Sequence, residues 1–184
     1  MRELPFPAQP LADSVVGLRP WRESDVPRNL MQYSDPLTLR FSWRRSAPYT
    51  GADAREYFLA QERGRLHGKQ VDFALVDPLD ERTVLGGASL YDVQDGRAAV
   101  GYWLAAQARG RGVVTHAVRL IAAWAFDELG IARLELTCAP DNHASQRVAE
   151  RCGFTREGVL RSHTNFKGGR RDTVVFSLLP SELP

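Results

Sequence analysis

Tyr102-Trp103-Leu104-Ala105-Ala106-Gln107-Ala108-Arg109-Gly110-Arg111-Gly112-Val113-Val114-Thr115 is the stretch on which the fold turns. A strand ends in it, a loop of Gly and Arg follows, and a helix begins. Val114, Ala117, Val118, Ile121, Trp124 and Ala125 recur at helical spacing and predict a helix from about Gly112 to Leu129. Gly130 is placed to stop it. The first N–H groups of such a helix have no partner within it. Together with the positive end of the helix dipole they form an anion site. Gly110 and Gly112 let a phosphate approach the backbone with no side chain in the way. Arg109 and Arg111 add charge, and no acid occurs between Asp95 and Asp127. The alternative reading of the loop is a glycine turn that only joins strand to helix.

Working outward, Ala98 to Leu104 is the strand that enters the loop. Before it, Thr83 to Val93 reads as a strand, joined by a hairpin turn at Gln94-Asp95-Gly96-Arg97. Val71 to Val76 alternates weakly and completes an antiparallel meander. Ser14 to Arg19 is a first strand. Glu23 to Tyr33 and Ala52 to Leu66 are helices, the second with a narrow apolar face. Beyond the long helix come a strand at Arg133 to Cys138, a short helix at Asn142 to Arg151, and closing strands at Thr155 to Thr164 and Thr173 to Leu179. Met1 to Asp13 carries three prolines and reads as an irregular lead-in, with one domain over 14–184. The order is mixed α/β. Ala98–Leu104, the long helix and Arg133–Cys138 form a parallel right-handed crossover if the two strands pair.

Composition sets the outer bounds. The chain has 184 residues with 43% hydrophobic and 25% charged, ordinary for a globular domain. The longest unbroken apolar run, Leu120 to Phe126, is far too short to span a membrane. Met1 to Pro10 lacks a signal-peptide core, so a cytoplasmic location is expected. Cys138 and Cys152 form no disulfide framework, and the four histidines have no metal spacing, so no metal is expected. The net charge is +2, but two of the 24 basic residues are Lys and the rest Arg. Arg suits phosphate because its planar fork donates two hydrogen bonds at once. The Arg residues are scattered singly, which speaks against nucleic acid. The dinucleotide fingerprint fails, because Thr115 stands where a third glycine is needed, and the P-loop fails for want of G-K-[ST].

The run Gln107-x-x-Gly110-x-Gly112 resembles the R/Q-x-x-G-x-G/A signature of the GNAT superfamily of N-acetyltransferases. Four further matches follow in order. Gly101-Tyr102-Trp103-Leu104 is similar to the family strand before the loop. Asn142-His143-Ala144-Ser145 resembles its N-x-x-S. Cys152-Gly153-Phe154-Thr155-Arg156-Glu157-Gly158 resembles C-G-F-x-x-E-G, and Arg171-Asp172 resembles the R-D of the last strand. The nearest branch is the RimJ/RimL type, the ribosomal-protein N-terminal acetyltransferases. The specific matches run from Ala98 to Leu179, and the order of elements extends them to about Ser14.

The resemblance implies the GNAT acyl-CoA N-acyltransferase fold, an α/β arrangement of about seven strands in a twisted mixed sheet with about four flanking helices. It implies direct acetyl transfer from acetyl-CoA to a primary amine. Tyr102, Trp103, Leu104, Gln107, Arg109, Gly110, Arg111, Gly112, Val113, Val114, Thr115, Asn142 and Ser145 are then the cofactor-binding set. A backbone N–H near Trp103 or Leu104 would face the thioester oxygen, Ser145 would protonate the leaving thiolate, and Asn142 would hold the pantetheine arm or the turn. The competing reading makes Asn142 a helix cap and Ser145 a first-turn hydroxyl.

The general base is the gap. The family positions on the strand and near the last turn hold Ala98, Ala99, Val100 and Thr164, and His163 alternates to the opposite face. Asp92 and Glu135 remain as candidates, and a water chain could serve. Phe41, Trp43, Tyr49 and Tyr91 are candidates to line the acceptor pocket, or large aromatics that cover the core. Cys138 reads as a small buried hydrophobe. The acceptor is a protein N-terminal α-amine or a small-molecule amine, and the donor could be another acyl-CoA. A non-catalytic acyl-CoA-binding module is the alternative of another class. A nucleic-acid-binding module is the third, with no recognised motif behind it. No membrane partner is expected, and a homodimer is compatible with the chain but rests on no residue.

Overall fold

In the computed structural model, which describes residues 3–42 and 48–184, five helices flank one sheet. The chain runs β1 (Leu11–Ala12), β2 (Gly17–Arg19), α1 (Val26–Met31), α2 (Pro36–Phe41), α3 (Gly51–Leu66), β3 (Val71–Asp77), β4 (Asp80–Gln94) and β5 (Arg97–Leu104). It continues through α4 (Val113–Asp127), β6 (Arg133–Cys138), α5 (His143–Arg151), β7 (Thr155–Phe166) and β8 (Gly169–Leu178). The eight strands lie in the order β1-β2-β3-β4-β5-β6-β8-β7. Every neighbouring pair is antiparallel except β5 and β6, which are parallel. The crossover through α4 therefore joins neighbouring strands, as its length requires.

Local chemistry accounts for the elements. Asp95 and Gly96 both take positive φ, 51° and 72°, as a two-residue hairpin turn between twisted strands demands. Thr50 and Asp53 cap α3 reciprocally, each side chain accepting from the other's backbone N–H. In α4 the buried stripe includes Val113, Ala117, Val118, Ile121 and Trp124. It packs against Phe73, Leu90, Val100 and Leu136 from one face of the sheet. Each such fully buried aliphatic side chain contributes about 1.5–3 kcal/mol. Among the described residues, no helix is long and apolar enough to cross a membrane.

The structure differs from the expectation in three places. The lead-in is not wholly irregular: Leu11–Ala12 pairs with β2 and begins the sheet, giving eight strands rather than about seven. The helix expected over Glu23 to Tyr33 is α1 flanked by single 3₁₀ turns at Glu23–Asp25 and Gln32–Ser34. Asp35 then caps a further helix, α2, by accepting from Thr38 N–H, with Pro36 at its first position.

Candidate active site

Strands β5 and β6 pair only at Arg97–Arg133, Ala98–Leu134 and Ala99–Glu135. Past Ala99 they part, and β5 runs on to Leu104 with that edge open. The ladder register tells which backbone groups line the opening. Ala105 N–H donates to the Leu85 carbonyl at 2.9 Å. In an antiparallel pair the bonded residues alternate, so Trp103, Gly101 and Ala99 point their N–H groups at β4. Tyr102 and Leu104 point theirs away from it, into the seam. The Leu104 carbonyl, on that same side, accepts from Arg109 at 3.2 Å. Of the two positions expected to face a thioester oxygen, Leu104 has the right direction; the N–H of Trp103 belongs to β4.

At the end of the seam the loop leads into α4. Gly110 and Gly112 take φ of 76° and 79°, a region closed to bulky side chains. Gly112 occupies the cap position of α4 and offers no side-chain cap, and the first turn holds no acid. The opening N–H groups of Val113, Val114 and Thr115 therefore face outward with the helix dipole behind them. Arg111 is exposed and has no partner among the described residues.

The neighbouring Arg has another task. Arg109 was expected to add charge for an anion, yet its guanidinium grips Asp35 through both terminal nitrogens, Nη1 at 3.2 Å, and also reaches Thr38 Oγ1 at 3.2 Å. That pairing holds the Asp35 carboxyl down at about 2. Gln107 turns toward α1, its amide oxygen accepting from Arg28. Arg40 pairs with Asp141 at 2.6 Å, and Lys167 donates to the Leu39 carbonyl. Helix α2 is thus tied to the loop on the β5 side and to the β6–α5 connection and the β7–β8 turn on the other.

Two hydroxyls meet at the seam on the α4 face. Tyr102 Oη lies 2.7 Å from Ser145 Oγ. Ser145 is buried, and Asn142 caps α5 by accepting from its N–H at 3.2 Å, so the capping role expected as the alternative for Asn142 is realised. Burial pushes the Tyr102 hydroxyl well up, which keeps it protonated. Cys138 and Cys152 are buried, and burial raises both thiols, the second to about 11. Neither is a ready nucleophile. The sequence reading placed Tyr102 in the cofactor set but overlooked its hydroxyl. Alternation puts Tyr102 on the same face as core residues Ala98 and Val100, which was the available signal.

On the opposite face the ring of Tyr91 lies against Gly101, 3.1 Å from where a Cβ would stand. Burial raises the pKa of its hydroxyl. Trp103 stacks on Trp21 at 6.3 Å, and Tyr49 donates to Asn29 Oδ1 at 2.9 Å beside Tyr33. Phe41 ends α2 under Arg40. Trp43 lies outside the described residues. Of the two base candidates, Glu135 is bonded to Arg133 at 2.9 Å. Asp92 sits in a bulge at φ 53°, at the hairpin end of β4, where β5 and β6 are still paired and far along β5 from the loop. His163 and Thr164 are bonded to each other at 3.2 Å.

An acetyltransferase family model, described as "Acetyltransferase (GNAT) domain", matches residues 16–155. The chain belongs to the GNAT acetyltransferase family. Among curated proteins it is 30% identical over 175 residues to "Probable N-acetyltransferase YjcK" of Bacillus subtilis (strain 168), covering 92% of this chain and 96% of that one. Among solved structures, Mycobacterium smegmatis RimJ in complex with CoA-disulfide superposes with a TM-score of 0.82 at 23% identity, over 92% of this chain and 84% of that one. RimL, a ribosomal L7/L12 α-N-protein acetyltransferase in complex with coenzyme A, superposes with a TM-score of 0.80 at 20% identity, over 93% and 98%. The open seam and the uncapped helix of this GNAT domain are thus set in a fold shared with CoA-bound proteins.

Proposed function

We propose that this acetyltransferase moves the acetyl group of acetyl-CoA to a primary amine, with a protein N-terminal α-amine as the first acceptor to test. The observation that carries the reading is the seam itself. An edge of β5 with free N–H groups runs from an uncapped helix N-terminus to a buried pair of hydroxyls. Acetyl-CoA needs those three features, in that order along its length.

The donor set fits the group. The N–H groups at the start of α4, with Arg111, would hold the pyrophosphate, and the backbone of Tyr102 the pantetheine arm. When bound, acetyl-CoA supplies an acyl group activated by a good leaving thiol. Leu104 N–H donates to the thioester oxygen as negative charge grows there. Ser145 or Tyr102 gives a proton to the departing sulfur, and Asn142 fixes Ser145 by capping α5. Tyr91, Phe41 and Trp43 are proposed to receive the acceptor. An α-amine has a reference pKa of about 7.7–8.0 against about 10.4 for lysine, so it asks less of a base.

The test is calorimetric titration with acetyl-CoA, then free-thiol release against a panel of N-terminal peptides and small amines. Binding with release on α-amines supports the reading. Release only on small amines moves the acceptor to that class. Binding without release on any amine replaces the transferase by a binding module, and no binding overturns the site.

A further inference from the structure

Strands β5 and β6 run parallel, so their last residues, Leu104 and Cys138, lie toward the same edge of the molecule. No ladder bond joins the strands past Ala99–Glu135. The width of the opening is then set by other contacts. On the α4 face the Tyr102–Ser145 contact spans it, from β5 to α5. At the open end the span is made by α2, six residues and about 9 Å long. Its first turn is fastened on the β5 side, where Asp35 meets Arg109. Its last turn is fastened on the β6 side, where Arg40 pairs with Asp141 at 2.6 Å. Helix α2 is a crossbar between the two strand ends.

The two fastenings are unequal. The side chains of Arg40 and Asp141 are 61% and 54% exposed, and an ion pair in that setting contributes little. Those of Arg109 and Asp35 are 31% and 19% exposed. Arg109 also makes several bonds at once. Nη1 donates to Asp35 Oδ1 at 3.2 Å, and Nη2 donates to Asp35 Oδ2. Nη2 further reaches Thr38 Oγ1 and the Leu104 carbonyl, both at 3.2 Å. Asp35 Oδ2 accepts in turn from Thr38 N–H at 2.7 Å, which caps α2. One guanidinium therefore joins the last residue of β5 to the first turn of the crossbar. A forked pair of this kind fixes direction as well as distance.

Leu104 is the residue whose placement matters. Its N–H and its carbonyl both point into the opening. Left alone, that carbonyl would set an acceptor beside the place where negative charge grows on a thioester oxygen. Arg109 occupies the carbonyl and brings a positive charge to that side. Holding the carbonyl also holds the backbone, so the N–H stays aimed across the gap. The anion task is left to the N-terminus of α4 and to Arg111.

We propose that Arg109 is a positioning residue: it keeps the Leu104 N–H aimed at the thioester oxygen and, through Asp35, holds in place the helix that carries Phe41. The proposal rests on the acetyltransferase reading of the seam. It assigns Arg109 to the rate and to the acceptor, and not to the grip on the donor.

The experiment measures kcat and acceptor KM for thiol release, on the amine the acceptor panel selects, and the acetyl-CoA Kd by calorimetry. The proteins are wild type, Arg109→Met, Arg109→Lys, Asp35→Asn, Arg40→Met and the double variant of Arg109→Met with Asp35→Asn. Arg109→Met should lose on the order of 10²-fold in kcat, as for an oxyanion donor displaced by about 1 Å, with the acetyl-CoA Kd within about twofold of wild type. Arg109→Lys keeps the charge without the fork and should recover part of the rate. Asp35→Asn keeps the cap of α2 and should lose about tenfold in kcat and raise the acceptor KM. The double variant should lose no more than Arg109→Met alone, because the two residues act as one unit. Arg40→Met should lose far less than Asp35→Asn. An Arg109→Met variant that loses more in acetyl-CoA affinity than in kcat makes Arg109 an anion ligand and overturns the proposal. Additive losses in the double variant overturn it as well. If Arg109→Met fails to fold, an Asp35→Asn variant with wild-type kcat and KM overturns it instead. Wild type that binds no acetyl-CoA, or releases no thiol on any amine, fails the transferase reading, which is a separate result.

Discussion

Asp72, buried on β3 with Tyr57 Oη donating to its Oδ1 at 2.9 Å, makes the stability of the fold depend on pH in an unusual direction. Most native carboxylates have lowered pKa values and stabilise the fold when ionised. Asp72 is raised by burial, from an ordinary value near 3.8 to about 7. Between those two values the folded chain binds a proton that the unfolded chain does not, so folding grows less favourable as pH rises through this window. Above pH 7 the full penalty is present. About three pH units at 1.36 kcal/mol each is about 4 kcal/mol, an upper figure because water can relax around the ionised group. Asp72→Asn removes the charge and keeps an acceptor for Tyr57. The assay is urea unfolding of both proteins at pH 5 and pH 8.5. The variant should gain up to about 4 kcal/mol on wild type at pH 8.5 and up to about 1.6 kcal/mol at pH 5, which lies about one unit into the window. Other titrating groups, such as the His116–Asp13 pair at 2.7 Å, cancel in the difference. A wild type that outlasts the variant at pH 8.5, or a difference independent of pH, refutes the assignment of a desolvated carboxyl.

Gly112→Val places a β-branched residue at φ 79°, a strain of about 1–2 kcal/mol, in the mouth of the anion site; calorimetry should show acetyl-CoA binding weakened at least tenfold. Ser145→Ala and Tyr102→Phe remove one hydroxyl each from a pair 2.7 Å apart. If either can serve the thiolate, each single variant keeps most of the thiol-release rate and the double variant loses about 10²-fold, a coupling a double-mutant cycle reads directly. Arg19 and Asp25 form a buried pair with bonds of 2.7 and 2.9 Å. Arg19→Met leaves the Asp25 charge uncompensated and should cost about 3–5 kcal/mol by chemical denaturation.

The parts legible in the sequence were those set by local rules. The period of α4, the Asp-Gly hairpin and the two glycines before the helix each declare themselves within a few residues. The jobs of Arg109 and Arg111 did not. Both stand in the same loop beside glycine, yet Arg109 faces an acid 74 residues earlier while Arg111 faces solvent. Asp35 caps α2 in the structure, and that it also anchors the loop depends on where α2 lands. The Tyr102 hydroxyl and Asp72 were missed for a related reason. Alternation assigns a side chain to a face, but its partner is set by strand order and register, which local spacing does not carry.

Register also explains why the opening lies where it does. Strand β6 spends its length on β8, pairing from Leu134 to Cys138, while it meets β5 over three residues only. The even-numbered backbone groups of β5 past Ala98 are therefore left without a strand. An unpaired edge inside a sheet is costly unless something else takes the bonds. Here one carbonyl, that of Leu104, is met by Arg109, and the N–H groups of Tyr102 and Leu104 remain directed into the gap. In this fold the unmet donors of the edge and those of the α4 N-terminus lie end to end. A ligand with amide and phosphate oxygens spaced along an extended chain would satisfy both at once. On the proposed function, the seam is a strand position that acetyl-CoA would fill.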